Sequence, residues 1–116
     1  MHPLLLTRGV PGTHDVALME SVIGALRAGN RPPLPRFDKS RGDRVPESQW
    51  QAPVQPVRIV MLEGWCVGAR PEPAAALAAP VNDLERFEDV DGRWRRHVND
   101  ALAGEYRALF DALDPL

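Results

Sequence analysis

Glu63 follows the run Val57-Arg58-Ile59-Val60-Met61-Leu62, which is nearly continuous in apolar residues, and precedes Gly64. A carboxylate at the C-terminal end of a buried strand stands where open α/β sheets bind their ligands, and a glycine beside it allows close approach. In phosphoryl transfer such an acid can orient a metal ion or its waters. The same residue also suits the start of a solvated turn, and spacing alone leaves both open.

A second candidate is the stretch Arg8-Gly9-Val10-Pro11-Gly12-Thr13-His14-Asp15. It leads into a helical pattern, and free backbone N–H groups at a helix start, with Arg8 and His14 beside them, could hold a small carboxylate or phosphate. A plain capped helix with an exposed arginine and a surface histidine accounts for the same residues. Arg93, Arg95 and Arg96 gather at the start of another helical pattern, where the helix dipole disfavours positive charge. Either the acids Glu85, Glu88, Asp89 and Asp91 offset them in a solvated network, or the arginines contact phosphate. Asp38, Lys39, Arg41, Asp43 and Arg44 form a mixed-sign polar run, the composition of an exposed loop that can also carry ligand contacts.

Other chemistries find little support. His2, His14 and His97 lack metal-ligand spacing and Cys66 has no second cysteine, which argues against a zinc site. Trp50, Trp65 and Trp94 read as packing residues. There is no Gly-x-Ser-x-Gly, and no Gly-x-x-x-x-Gly-Lys-[Ser/Thr] to wrap nucleotide phosphates.

The elements that must position these residues follow from periodicity. Val16, Met19, Val22, Ile23 and Leu26 recur at three- and four-residue steps and predict a helix over 14–28, capped by Thr13, with Asp15 in its first turn and Gly29-Asn30 as its stop. The proline-bracketed segment 34–37 allows only a brief or edge strand, and 38–47 reads as loop. Segment 57–62 is the clearest strand, expected to be buried and parallel. Residues 68–80 form a connector with a short helical turn near 74–79. Trp94, Val98, Leu102, Tyr106, Phe110 and Leu113 predict a second main helix over 91–113, ended by Pro115. This order suggests a single α/β layer structure, a parallel-sheet fragment with flanking helices over 1–116.

Composition sets the frame. The 116 residues are 44% hydrophobic and 26% charged, ordinary for one globular domain. A net charge of −2 gives no general attraction for nucleic acid or anionic lipid. No stretch approaches the roughly 20 apolar residues needed to cross a bilayer, Met1 to Thr7 does not read as a signal peptide, and the lone cysteine fits a reducing, cytoplasmic setting.

The segments His2-Pro3-Leu4-Leu5, 8–15, Leu34-Pro35-Arg36-Phe37-Asp38-Lys39-Ser40, Gly42-Asp43-Arg44 and Leu62-Glu63-Gly64-Trp65-Cys66-Val67-Gly68 together resemble the D-glycerate 3-kinase family and its bacterial kinase-like relatives. Val81-Asn82 and the 94–106 helix with Val98-Asn99 fit the later part of that pattern. This family is similar to uridine kinase, pantothenate kinase and phosphoribulokinase. The resemblance implies a P-loop kinase fold, here partial, and transfer of the γ-phosphate of ATP, with Mg²⁺, to a small hydroxy acid. It places Arg8, Gly12, Thr13, His14 and Asp15 in the acceptor pocket and Asp38 and Lys39 near acceptor or phosphates. Glu63 takes the Walker B-like catalytic position. In the family the P-loop and an acidic motif precede the segment that begins here at Met1, and the sheet continues past the last helix. The chain is therefore expected to be truncated at both ends and inactive alone. Alternatives are half of a split kinase completed by a P-loop polypeptide, or a non-catalytic anion-binding or interaction module.

Overall fold

The computed structural model describes residues 1–114; Pro115, the expected helix stop, lies outside the described residues. The chain forms two compact units, Met1–Val16 with Glu63 onward, and Ala17–Leu62.

In the first unit a 3-10 turn at Pro3–Leu5 leads into loop 8–15. After the connector come a 3-10 turn at Ala74–Leu77 and three helices, α2 (Asp83–Glu88), α3 (Arg93–Ala103) and α4 (Glu105–Asp111); α1 (Val16–Arg27) is the first helix of the chain. Helix α1 starts on Val16, and the rest of it belongs to the second unit. The core of the first unit is Val16, Leu102, Tyr106 and Leu109, all below a tenth exposed. Burying such side chains contributes about 1.5–3 kcal/mol each. Tyr106 also meets Phe110 edge-on at 5.9 Å between ring centroids. The connector is tied to α3 by a reciprocal pair: Glu72 N–H donates to Asn99 Oδ1 at 2.7 Å, and Asn99 Nδ2 donates to the Glu72 carbonyl at 3.0 Å.

The expected single helix over 91–113 is two helices. Gly104, at φ −100° and ψ −111°, leaves the helical region between α3 and α4. Glycine carries the weakest helical preference of any residue but proline, and this one follows Ala103 where no side chain opposes the bend. The apolar residues keep their four-residue spacing across the break, so periodicity alone could not show it.

Helix α2 went unforeseen, although its signal is in the sequence. Asn82 caps it, accepting from Glu85 N–H at 2.9 Å, while the Glu85 carboxylate reaches back to Val81 N–H at 3.0 Å. This is close to a capping box, shifted by one residue at its return bond.

In the second unit, β1 (Phe37–Asp38) and β2 (Asp43–Arg44) pair antiparallel, Phe37 opposite Arg44 and Asp38 opposite Asp43. The hairpin extends outward through Val45 N–H to the Arg36 carbonyl and a bridge between Leu34 and Gln51. Trp50 Nε1 secures it by donating to the Val45 carbonyl at 2.7 Å. The polar run 38–44, expected as plain loop, is thus the tip of a hairpin, and Gly42 supplies the positive φ (66°) of its turn.

Two expectations are corrected here. The sheet is antiparallel and two-stranded, with no parallel pairing among the described residues. Segment 57–62 is not a buried strand: it carries no strand assignment, and Ile59 and Met61 are 82% and 87% exposed. A parallel strand needs hydrogen-bonding neighbours from elsewhere in the sheet. Among the described residues none pairs with 57–62, so Ile59, Val60 and Met61 face solvent. The α/β character stands in this reduced form. No helix of the described residues is long and apolar enough to cross a membrane.

Candidate functional site

Loop 8–15 is braced from within. The Thr13 hydroxyl accepts from Gly9 N–H at 2.8 Å and donates to the Val10 carbonyl at 2.6 Å, and Thr13 N–H returns to the same carbonyl. Thr13 therefore stiffens the loop instead of capping α1. The helix opens two residues later than expected, directly after the exposed Asp15. Gly12 adopts φ +91°, a conformation costly for any side chain. A Cβ there would also stand 2.6 Å from His97 Nε2. This nitrogen lies 3.5 Å from the Gly12 carbonyl, so α3 sits directly against the loop.

His14 and Tyr106 form the best-defined polar contact of this region, 2.6 Å between Nδ1 and the phenolic oxygen, with the rings edge to face. Partial burial, then the positive charge of Arg8, lowers the pKa of His14 and favours the neutral ring. Burial raises that of Tyr106, against the opposing effect of the Gly12 and His14 backbone. Sequence placed Arg8, Gly12, Thr13, His14 and Asp15 together by adjacency. It did not bring in Tyr106 or His97, which appeared only as a helix-face aromatic and a scattered histidine. Their signal, the four-residue spacing of Trp94, Val98, Leu102 and Tyr106, marked a packed face without saying what it packs against.

Glu63 belongs to the same unit and is exposed, at the head of the turn closed by Val67 N–H to the Gly64 carbonyl. Asp38 and Lys39 belong to the second unit, on the hairpin. The Asp38 carboxylate accepts from both the hydroxyl and the N–H of Ser40, at 2.6 and 2.9 Å, and these bonds lower its pKa. It is engaged in shaping the turn.

The three arginines of α3 have internal partners. Asp89 is fully buried; its carboxylate accepts from Trp94 N–H at 2.7 Å and Arg95 N–H at 3.1 Å, capping the helix, and pairs with the Arg95 guanidinium at 3.2 Å. Arg95, 9% exposed, also donates to the carbonyls of Asp89 and Leu77. Arg93 pairs with Asp91 at 2.7 Å, and Arg96 donates to the Asp91 carbonyl. Arg95 is thus a buried structural cation, and the local acids answer the unfavourable charge at this helix start.

His2, Asp89 and Asp91 bring three ligand-type atoms within 4.8 Å of one another. Their bonding does not suit a cation. Nδ1 of His2 accepts from Leu4 N–H, which leaves the proton of the neutral ring on Nε2, toward Asp89 at 3.5 Å. A metal would have to displace that proton and compete with Arg95 for the same carboxylate. Glu63 is not part of any such cluster among the described residues. The residues present do not by themselves assemble a site for Mg²⁺ and nucleotide phosphates. A cavity of about 320 Å³ lies beside α4, with Arg70, Leu102, Arg107 and Phe110 in its wall; Arg107 is paired with Asp111 at 3.6 Å.

The chain is 35% identical over 124 residues to "Uncharacterized kinase mug58" of Schizosaccharomyces pombe, a match covering 99% of this chain and 43% of that protein. It is 36% identical over 108 residues to "D-glycerate 3-kinase, chloroplastic" of Arabidopsis thaliana, covering 83% of this chain and 24% of that one. The "Probable ATP-dependent kinase TDA10" of Saccharomyces cerevisiae is 41% identical over 78 residues, 59% of this chain and 26% of its own length. These relatives support a glycerate kinase-like family for the chain. It spans less than half the length of these curated relatives. No family model matches the chain, and no solved structure matches it. The kinase-like sequence therefore stands on its relatives, and the P-loop kinase fold expected from the resemblance has no structural neighbour behind it.

Proposed function

We propose that this chain supplies the acceptor side of an ATP-dependent kinase that phosphorylates D-glycerate or a similar small hydroxy acid. The observation that carries this is the alignment of nearly the whole chain with kinases, one of them named for D-glycerate. Loop 8–15 fits the role physically. It is stiffened by Thr13, held against α3 at Gly12, and carries Arg8 and a neutral His14 where a small anion can be met. In this function Arg8, Gly12, Thr13, His14 and Asp15 form the acceptor pocket, and Glu63 would orient the metal ion or its waters. Asp38 and Lys39 are assigned to acceptor or phosphate by the resemblance alone. Of the three arginines, Arg93 and Arg96 remain accessible for phosphate contact, while Arg95 acts through the fold.

ATP and Mg²⁺ supply the transferred phosphoryl group and neutralise its charge. The phosphate-binding loop that would hold them is not within these 116 residues. Transfer therefore requires that loop from a further segment or a second polypeptide, and these residues alone are expected to turn over no ATP. The exposure of 57–62 agrees with an incomplete sheet awaiting such a neighbour.

The decisive test is a replacement. The aligned stretch of the Arabidopsis D-glycerate 3-kinase is exchanged for this chain's residues, and ATP-dependent phosphorylation of D-glycerate is measured. An active chimera that loses turnover on Glu63→Gln supports the proposal. A folded chimera that binds ATP yet phosphorylates neither D-glycerate nor another small hydroxy acid rejects it.

A further inference from the structure

Tyr106 is 2% exposed, and a phenol buried that deeply needs a partner for its hydroxyl. Among the described residues the side chain placed to serve is His14, whose Nδ1 lies 2.6 Å from the phenolic oxygen. If Nδ1 carried the proton, the buried phenolic hydrogen would have no acceptor among the described residues. With the hydroxyl donating to Nδ1, the phenol has its acceptor and the imidazole proton resides on Nε2.

We propose that Tyr106 is a positioning residue for the acceptor: its hydroxyl donates to Nδ1 of His14 and so holds the ring in the neutral tautomer that offers Nε2–H to a small hydroxy acid's carboxylate. The carboxylate half of this rests on the acceptor-pocket function proposed above; the Tyr106–His14 half rests on the geometry alone. Nothing in the sequence pairs residues 92 positions apart. The groups facing the pair are Arg8 toward His14, and Cys66 and Glu105 toward Tyr106. Arg8 opposes a second positive charge on the ring, and burial keeps the phenol protonated, so both the donor and the acceptor of this bond persist through neutral pH. A neutral N–H donor beside an arginine recognises a carboxylate without taking up a proton, and Gly12 lets the loop lie directly against α3 at His97.

The test uses the full 116-residue chain and its Tyr106→Phe variant, which keeps the ring packed on Phe110 and removes only the oxygen. Nitrogen-15 NMR of the histidine side chains reads the tautomer directly. D-glycerate and glycerol are the probes, alike in polarity and differing in the carboxylate. Expected are an unprotonated Nδ1 and a protonated Nε2 at His14 in the parent, a mixture of tautomers in the variant, and D-glycerate but not glycerol shifting the Nε2 signal. Affinity for D-glycerate should fall about five- to tenfold in the variant, the effect of losing one orienting hydrogen bond. A proton on Nδ1 in the parent overturns the proposal with no variant needed, and so does an unchanged tautomer or unchanged affinity in Tyr106→Phe. If the tautomer behaves as expected while D-glycerate binds neither protein, the acceptor function fails and takes the carboxylate half with it. The bond between Tyr106 and His14 then stands as a result in its own right.

Discussion

Two polar clusters of the first unit are of opposite kinds. Around Asp89 and Arg95 the carboxylate, the guanidinium and two helix N–H groups answer one another in a setting from which solvent is almost excluded. Along loop 8–15, His14 and Tyr106 share one hydrogen bond, and the imidazole is half-buried with a second nitrogen still to be used. The first cluster is closed and the second is open. Charge by itself therefore does not separate the two roles: at the arginine-rich helix start the most buried arginine, Arg95, is committed to the fold. In the function proposed above, the near-neutral pair is the one that meets the ligand.

The sharpest way to break that contrast is Asp89→Asn. The substitution removes the countercharge of a buried guanidinium and weakens the cap on Trp94 and Arg95 N–H. Removing one partner of a buried ion pair costs about 3–5 kcal/mol, because the remaining charge is stranded. Urea denaturation of the variant is expected to show a loss of that order. Arg93→Ala, which cuts an exposed pair with Asp91, should change stability by less than about 1 kcal/mol. Equal effects of the two substitutions would mean that the clusters do not differ in the way described.

Next in size is Gly12→Ala. The backbone at φ +91° penalises any side chain, and the new methyl would collide with the His97 ring. Together these should cost about 1–3 kcal/mol. Adding His97→Ala removes the collision but not the backbone strain, so the double variant should recover part of the loss in the same denaturation measurement. No recovery would show that His97 does not hold the loop against α3.

How much of this was legible beforehand depends on what each feature needed. Helix α1 was legible to within two residues, because Val16, Met19, Val22, Ile23 and Leu26 define one face and Gly29 the stop. The turn near 74–79 was legible as well. The break at Gly104 was not, since Leu102, Tyr106 and Phe110 keep step on both sides of it. The apolar composition of 57–62 spoke of a buried strand, but burial is a property of neighbours, and these residues have no sheet partner among the described residues. Loop 8–15 was visible as a motif because its members are contiguous. Its partners Tyr106 and His97 were not, because they join it through tertiary packing, and no local pattern records which face of a helix meets which loop. The roles of Arg93, Arg95 and Arg96 were open between phosphate contact and an acid-balanced network. For Arg95 the burial of Asp89 decides it, a fact that the exposed-looking run from Glu85 to Asp91 concealed.

The gentlest test of the contrast is pH. Burial and Arg8 lower the pKa of His14, so the folded chain binds a proton there less readily than the unfolded chain, whose histidine titrates near about 6.5. Above that value both states are neutral and the residue contributes no pH dependence. As pH falls below it, the unfolded state takes up the proton first and the folded state loses stability, until the folded pKa is passed and the loss levels off. The difference between denaturation midpoints of the parent and His14→Gln should therefore be flat above about pH 6.5 and shift against the parent below it. Glutamine can still accept from the Tyr106 hydroxyl, which keeps the comparison on titration instead of on a lost bond. A shift of the opposite sign would place a favourable positive charge on His14 in the folded chain. The ring would then have to donate from Nδ1, and the cluster would be a second ion-binding network after all, no longer the open counterpart of Asp89 and Arg95.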